Sequence, residues 1–227
     1  VGRCTQRHQH VPELMTTNAA ILGRKAQALK TAGLDRVTVS LDALTEDLFQ
    51  AINDVGFPAY EVLKGIHAAR EAGLPVKVNT VVKRGMNEEE ILPLAKTFRG
   101  TGITLRFIEY MDAGTANGWR MDDVVPSSEI VRRINEVWPI APSEALYRGE
   151  VAERWHYLDG AGEVGFISSV TQAFCCDCTR ARLSVEGGLF LCLFADRGYD
   201  IRTMLRGGAT TEEIRDAVAR IWTNRDN

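Results

Sequence analysis

The sequence of 227 residues contains no apolar run near the roughly 18 residues of a membrane span, so no membrane partner is expected. It shows no secretory signal, and the expected location is cytoplasmic. It has no surplus of either charge. Its 27 Lys and Arg against 30 Asp and Glu leave a net charge of -3, which gives no whole-protein reason to expect nucleic acid. Its histidines are few, and His8, His10, His67 and His156 share no ligand spacing. Internal repeats and low-complexity segments are absent. Cysteine is scarce too, with five residues. A secreted disulfide framework would spread them out, yet Cys175, Cys176, Cys178 and Cys192 fall within one short stretch. What remains is an ordinary globular composition, 45% hydrophobic and 25% charged. The sequence begins at Val1, which reads as processing or as a piece of something longer.

Alternating signals fill the first half. "ELMTT" reads as a short strand, with Asn18 as cap of a helix over 19–32. Gly33 closes that helix in a left-handed turn. "RVTVSLD" is a strand by its β-branched content. A short helix over 45–53 and a longer one over 59–72, closed by Gly73, follow. "PVKVNTVV" is a third strand. "NEEEILPLAKTF" is a helix with Asn87 as cap, where Pro93 predicts a kink or a late start. "ITLRFIEYM" is a fourth strand. The alternation predicts parallel strands with helices packed outside them. The pattern changes after Met111, dividing the chain into 1–111 and 112–227. The second part reads as a helix from Ser127 or Ser128 to about 137, a hairpin "ERWHYL-DGAG-EVGFISS", and a second hairpin "RARLSV-EGG-LFLCLF". A last helix starts at Thr210 with Glu213 at capping-box spacing.

The chemistry concentrates in "FCCDCTRARLSVEGGLFLCLF", Phe174 to Phe194. Cys175 and Cys178 form C-x-x-C, and Cys192 returns on the far side of the second hairpin. Three thiolates suit zinc or an iron–sulfur cluster; the alternative is buried structural cysteine. Cys176 adjoins the first ligand and reads as a bystander, with a fourth-ligand role left open. Arg180 and Arg182 alternate onto one strand face. Paired guanidiniums there suit a phosphate or triphosphate, and the alternative is a solvent-facing charged hairpin. Upstream, Thr38, Ser40 and Asp42 share one face of their strand, as Lys77 and Asn79 do of theirs. Polar residues near the C-terminal end of a barrel strand suggest a site. Arg106 and Met111 differ in parity, so they meet one cavity only if the strand end bends.

These residues resemble the GTP 3′,8-cyclases, radical S-adenosylmethionine (SAM) enzymes that open molybdenum cofactor biosynthesis. Besides the cysteine segment, "MTTN", "AGLDRVTVSLDAL", "PVKVNTVVKRGMNEEE" and "RFIEYMDAGTANGW" are similar to the family in the same order. The resemblance implies the last four strands of a partial (βα)6 barrel, followed by an α+β extension that carries the cysteine-rich hairpin. It implies a [4Fe-4S] cluster on Cys175, Cys178 and Cys192, with one iron left open for GTP. It implies GTP contacts at Thr16, Lys77, Arg106, Arg180 and Arg182, and SAM contacts at Ser40 and Met111. The implied reaction converts GTP to (8S)-3′,8-cyclo-7,8-dihydroguanosine 5′-triphosphate. Expected partners are cyclic pyranopterin monophosphate synthase as the next enzyme and a second copy in a homodimer.

The sequence also departs from that family. The C-x-x-x-C-x-x-C loop of the SAM-cleaving cluster is not in it, and neither is the Gly-Gly tail. The expectation is that this stretch supplies the GTP-holding half and does not generate the radical by itself. The competing readings are a non-catalytic nucleotide-binding module and a zinc-stabilised one.

Overall fold

The computed structural model describes residues 12–111, 118–172, 175 and 178–225. The first half alternates as the sequence predicts: β1 (Leu14–Thr17), α1 (Leu22–Thr31), β2 (Arg36–Ser40), α2 (Glu46–Asn53), α3 (Ala59–Glu71), β3 (Val76–Val82), α4 (Ile91–Phe98) and β4 (Thr104–Glu109). The second half adds α5 (Ser127–Val137), β5 (Ile140–Ser143), β6 (Glu153–Tyr157) and β7 (Glu163–Ile167). It then forms β8 (Arg182–Leu183), β9 (Gly188–Phe190), β10 (Tyr199–Asp200), α6 (Ile201–Arg206) and α7 (Thr211–Thr223). Seven strands make one sheet in the order β1-β2-β3-β4-β7-β6-β5, and β10-β9-β8 make a second. The fold is mixed α/β with a parallel-rich large sheet.

The large sheet does not stop at Met111. β7 pairs with β4 in parallel, and the crossover that a parallel pair requires runs through α5. β6 then pairs with β7 antiparallel, as the hairpin reading expects. β5 is an addition the sequence did not announce. Its Pro142 cannot donate to a ladder, and it is tolerated because β5 lies at the sheet's edge.

Local signals hold where the chain's own backbone decides. Gly33 and Gly73 both follow helices with positive φ, at 101° and 74°. Leu34 N–H bonds back to Leu29 C=O and Leu74 N–H to Ala69 C=O, closing two similar helix ends. Thr210 and Glu213 form the expected capping box of α7. Pro93 produces the late start: a 3-10 turn over Glu88–Glu90 precedes α4, leaving the proline inside the first α-helical turn, where no backbone donor is needed.

Two capping assignments need correction. Asn18 does not cap α1, which begins at Leu22. Its side chain accepts from Ala20 N–H at 3.2 Å, spanning Ala19, which turns through a left-handed φ of 62°. Asn87 does not cap α4 either. It ties two strand ends together: its amide donates to Asp42 C=O beyond β2 and to Val81 C=O of β3, and its Oδ1 accepts from Lys83 N–H. Strong local bonding by Asn draws it into turns as readily as into helix caps.

One face of the large sheet is the core. Val37, Val39, Val78, Val82, Leu105, Phe107, Val164 and Phe166 are buried on it beneath the helices. Phe107 and Phe166 stack directly across the β4–β7 seam, with ring centroids 6.2 Å apart. The same face ends in a buried carboxylate. Glu109, the last residue of β4, accepts from Ser127 N–H at 2.8 Å, from Val170 N–H at 2.9 Å, and from Thr171 N–H at 2.8 Å and its hydroxyl at 2.6 Å. It thereby fastens the start of α5 and the segment after β7 to the end of β4.

Burial pushes the Glu109 carboxyl up, but the Thr171 hydroxyl and the three backbone donors together outweigh it and hold the group below its ordinary 4.5. A depressed folded value means the stabilisation is complete above the ordinary carboxylate value and is lost as pH falls through the folded one. Glu109→Gln should therefore cost about 1.5–3 kcal/mol at neutral pH, the range for hydrogen bonds to a charged group. It should also flatten the acid-side decline in stability below about pH 4.5. Urea midpoints measured across that range test this, and a variant as acid-sensitive as the parent would refute it.

Candidate functional site

The other face of the large sheet is polar, and the strand register fixes how its residues stack. Thr16, Thr38, Lys77 and Thr104 align in one row across β1 to β4. Two residues further along, Ser40, Asn79, Arg106 and Gly165 form the next row across β2, β3, β4 and β7. Arg36 opens β2, two residues before Thr38 and on the same face. Each step of two residues rises about 6.6 Å along the strand. Gly165 leaves room for Arg106, because a Cβ there would lie 3.1 Å from the Arg106 Cγ.

Positive charge dominates this face. Burial, together with the nearby Arg106 and Arg36, lowers the Lys77 amine to about 8. Burial and Arg36 likewise lower the Arg106 guanidinium. The opposing carboxylates, Glu150 on both groups and Glu163 on Lys77, act only at range. Among the described residues, no hydrogen bond holds either side chain. Arg36 Nε and Asn79 Oδ1 are buried without a partner. Cations that crowd together without partners mark a place built for an anion.

At the C-terminal ends of the strands the polar face meets a cavity of about 170 Å3. Ile108 and Ile167, the next row after Arg106 and Gly165, form its floor. Met111, Cys175, Cys178, Cys192, Arg180 and Arg182 all line it, with Val151, Leu193 and Phe194 supplying apolar wall. The parity conflict between Arg106 and Met111 disappears because β4 ends at Glu109, leaving Met111 free of the strand's alternation. Cys192 lies two residues past the end of β9 rather than on a strand, and the short β8–β9 pairing covers only Arg182–Phe190 and Leu183–Leu189. Cys4 and Cys176 lie outside the described residues.

The donor set suits a thiolate-held cluster in kind. Cys175, Cys178 and Cys192 are free cysteines sharing one cavity. Burial opposes ionisation of Cys178, but hydrogen bonds from Arg225 and Arg180 and the Arg180 charge outweigh it, lowering the thiol to about 7. Among the described residues, no group of three or more His, Cys, Asp or Glu is drawn to a common ligating point.

Of the residues expected from the sequence, six therefore line the cavity, and Thr16, Ser40, Lys77 and Arg106 lie on the polar face below it. Sequence reasoning missed two arginines. Arg225 follows α7, lines the cavity and stacks 5.0 Å from the Trp222 ring centroid, and its Nη1 is buried without a partner. No local spacing announces it. Arg36 did have a signal, since it shares parity with Thr38 and Ser40.

A family model described as Molybdenum Cofactor Synthesis C matches residues 103–227. A second, described as Radical SAM superfamily, matches residues 6–98. Curated relatives named GTP 3′,8-cyclase are similar along most of the chain. One from Acidothermus cellulolyticus is 49% identical, covering 94% of this chain and 60% of the relative. One from Xanthomonas campestris is 51% identical, covering 86% and 58%. One from Staphylococcus aureus is 41% identical, covering 94% and 63%. The chain thus spans about three fifths of the length of these relatives.

The electrostatics of the polar face predict that Lys77 titrates near pH 8, well below the ordinary 10.5 of a lysine. Carbon-13 reductive methylation followed by NMR titration reads each amine separately. A Lys77 value near the ordinary 10.5 would mean that the cations do not share a desolvated face.

Proposed function

Because the chain belongs to the Molybdenum Cofactor Synthesis C family, we propose that it is the substrate-holding part of a GTP 3′,8-cyclase, the first enzyme of molybdenum cofactor biosynthesis. The single observation that carries this reading is the meeting of three free cysteines and two arginines on one cavity, directly above a cationic sheet face. In this reading β1 to β4 are the last four strands of a radical SAM barrel within residues 1–111, and residues 112–227 are the extension that binds GTP and the cluster.

Cys175, Cys178 and Cys192 would hold a [4Fe-4S] cluster. Bound by three thiolates, such a cluster offers one iron without a protein ligand to the substrate. Arg180 and Arg182 beside it bring fixed positive charge to the GTP. Lys77 and Arg106 continue that charge down the sheet and would neutralise phosphate oxygens, while Thr16 offers a hydroxyl at the same level as Lys77. Apolar Ile108, Ile167 and Phe194 limit water in the cavity, which strengthens each charge–charge contact inside it. Ser40 and Met111 would contact SAM. The 227 residues contain no cysteine triad for a second cluster, so no step of SAM cleavage is assigned to them. A homodimer, and cyclic pyranopterin monophosphate synthase as the enzyme that takes the product, belong to the same reading.

Anaerobic reconstitution should load iron and sulfide in equal amounts and confer GTP binding. Arg180→Ala combined with Arg182→Ala should weaken GTP binding tenfold or more, since each charged hydrogen bond contributes about 1.5–3 kcal/mol, and should leave the cluster spectrum unchanged. Cys178→Ser should lose the cluster, whereas Cys176→Ser should retain it. Stoichiometric zinc after anaerobic purification, or a colourless protein that does not retain GTP, would overturn the assignment.

A further inference from the structure

We propose that Arg36 is the far anchor of a polyphosphate site on the sheet's polar face, and that it sets a preference for a nucleoside triphosphate over the diphosphate. The inference rests on the nucleotide reading above and assigns a residue that reading leaves unused. Three cations occupy successive levels of the face. Arg106 is the highest, one step below the Ile108 of the cavity floor. Lys77 stands one row lower, level with Thr38. Arg36 is one further step down, at the start of β2. An anionic chain descending from the cysteine cavity therefore meets Arg106 first and Arg36 last.

Nothing within the described fold accounts for Arg36 in that position. Its Nε is buried with no partner. Its charge works against both Lys77 and Arg106. A guanidinium that is partly desolvated, repelled by two neighbours and short of a hydrogen bond costs stability unless an anion offsets it. Glu163, on the same face of β7, is paired with Arg154, and the polar residues that β1 to β3 add to the face, Thr16, Thr38, Ser40 and Asn79, are neutral. They supply donors without supplying a carboxylate that would compete with phosphate. Arginine suits the last position because its fork can grip a terminal phosphate with two bonds.

The test measures equilibrium binding of GTP, GDP, inorganic tripolyphosphate and pyrophosphate to the purified chain and to Arg36→Met. In the parent, GTP should bind more tightly than GDP, and tripolyphosphate more tightly than pyrophosphate. In Arg36→Met, GTP and tripolyphosphate should weaken about tenfold while GDP and pyrophosphate change less than about twofold, the difference expected for losing one charged contact. Arg36→Lys should keep most of the preference. The Lys77 titration should move upward in Arg36→Met, because the Arg36 charge contributes to lowering it, and this shift checks that the two cations share one face. Should Arg36→Met fail to fold, the parent still decides. Phenylglyoxal labelling of Arg36, read by mass spectrometry, should be slowed by tripolyphosphate and much less by pyrophosphate. Equal weakening of tri- and diphosphates, or equal protection by both, overturns the role of Arg36 and leaves the nucleotide reading intact. A parent chain that holds neither GTP nor tripolyphosphate overturns both.

Discussion

The buried carboxylate of Glu109 is the constraint on which the site depends. A strand end, a helix start and the segment leading to the first cysteine all need something to hold them in mutual position. One ionised group does so by accepting from Ser127, Val170 and Thr171 together. Burying a charge in this way is costly, and it persists because every donor aimed at it is a fixed backbone or hydroxyl group. The consequences reach both walls of the cavity. Met111 stands two residues beyond Glu109, Ser169 lines the cavity just before Val170, and Cys175 follows four residues after Thr171. Loss of the clamp would loosen all three at once.

The large sheet then divides its two faces between incompatible tasks. Parallel sheets usually bury both faces, and their strands read as continuous apolar runs. Here only the helix-covered face does so. The strands alternate Val37, Val39 and Leu41 against Arg36, Thr38 and Ser40, and Val76, Val78 and Thr80 against Lys77 and Asn79. Stability comes from the first face, where Phe107 stacks on Phe166. The second face carries mutually repelling cations and works against stability in the absence of an anion. Such a division makes sense only if the second face is where binding happens.

This division explains what could be read from the sequence and what could not. The βα alternation was legible because each element carries its own signal: β-branched strands, Gly33 and Gly73 behind helices, and the Thr210–Glu213 box. The cysteine segment was legible because three thiols and two arginines fall close together in the chain. Contacts that depend on distant residues were not legible. Asn87 has the same local appearance whether it caps α4 or ties down strand ends. Glu109 could not be assigned to a face, because its donors arrive from residues 18 to 62 positions away. Arg225 reaches the cavity only through the placement of α7, and β5 announces itself with a proline that argues against a strand.

The cysteine-bearing part of the chain poses a further physical problem, and the proposed cluster answers it. Among the described residues beyond Cys178, only Leu189 and Ala217 are buried hydrophobics. Val185 is fully exposed, and Leu183, Phe194 and Leu205 are all more than half exposed. Strands of two or three residues over so little apolar cover cannot be held by burial alone. The core cluster ends with Phe166, so this part draws little from the sheet's interior. Thiolate–metal bonds from both sides of the β8–β9 turn would supply the missing cross-links, as metal binding supplies folding energy in small domains generally. On this view the cluster fastens the segment that carries Arg180 and Arg182, and so fixes the arginines that face the substrate. Placing the thiols and the guanidiniums in one short stretch is then a structural requirement as well as a chemical one.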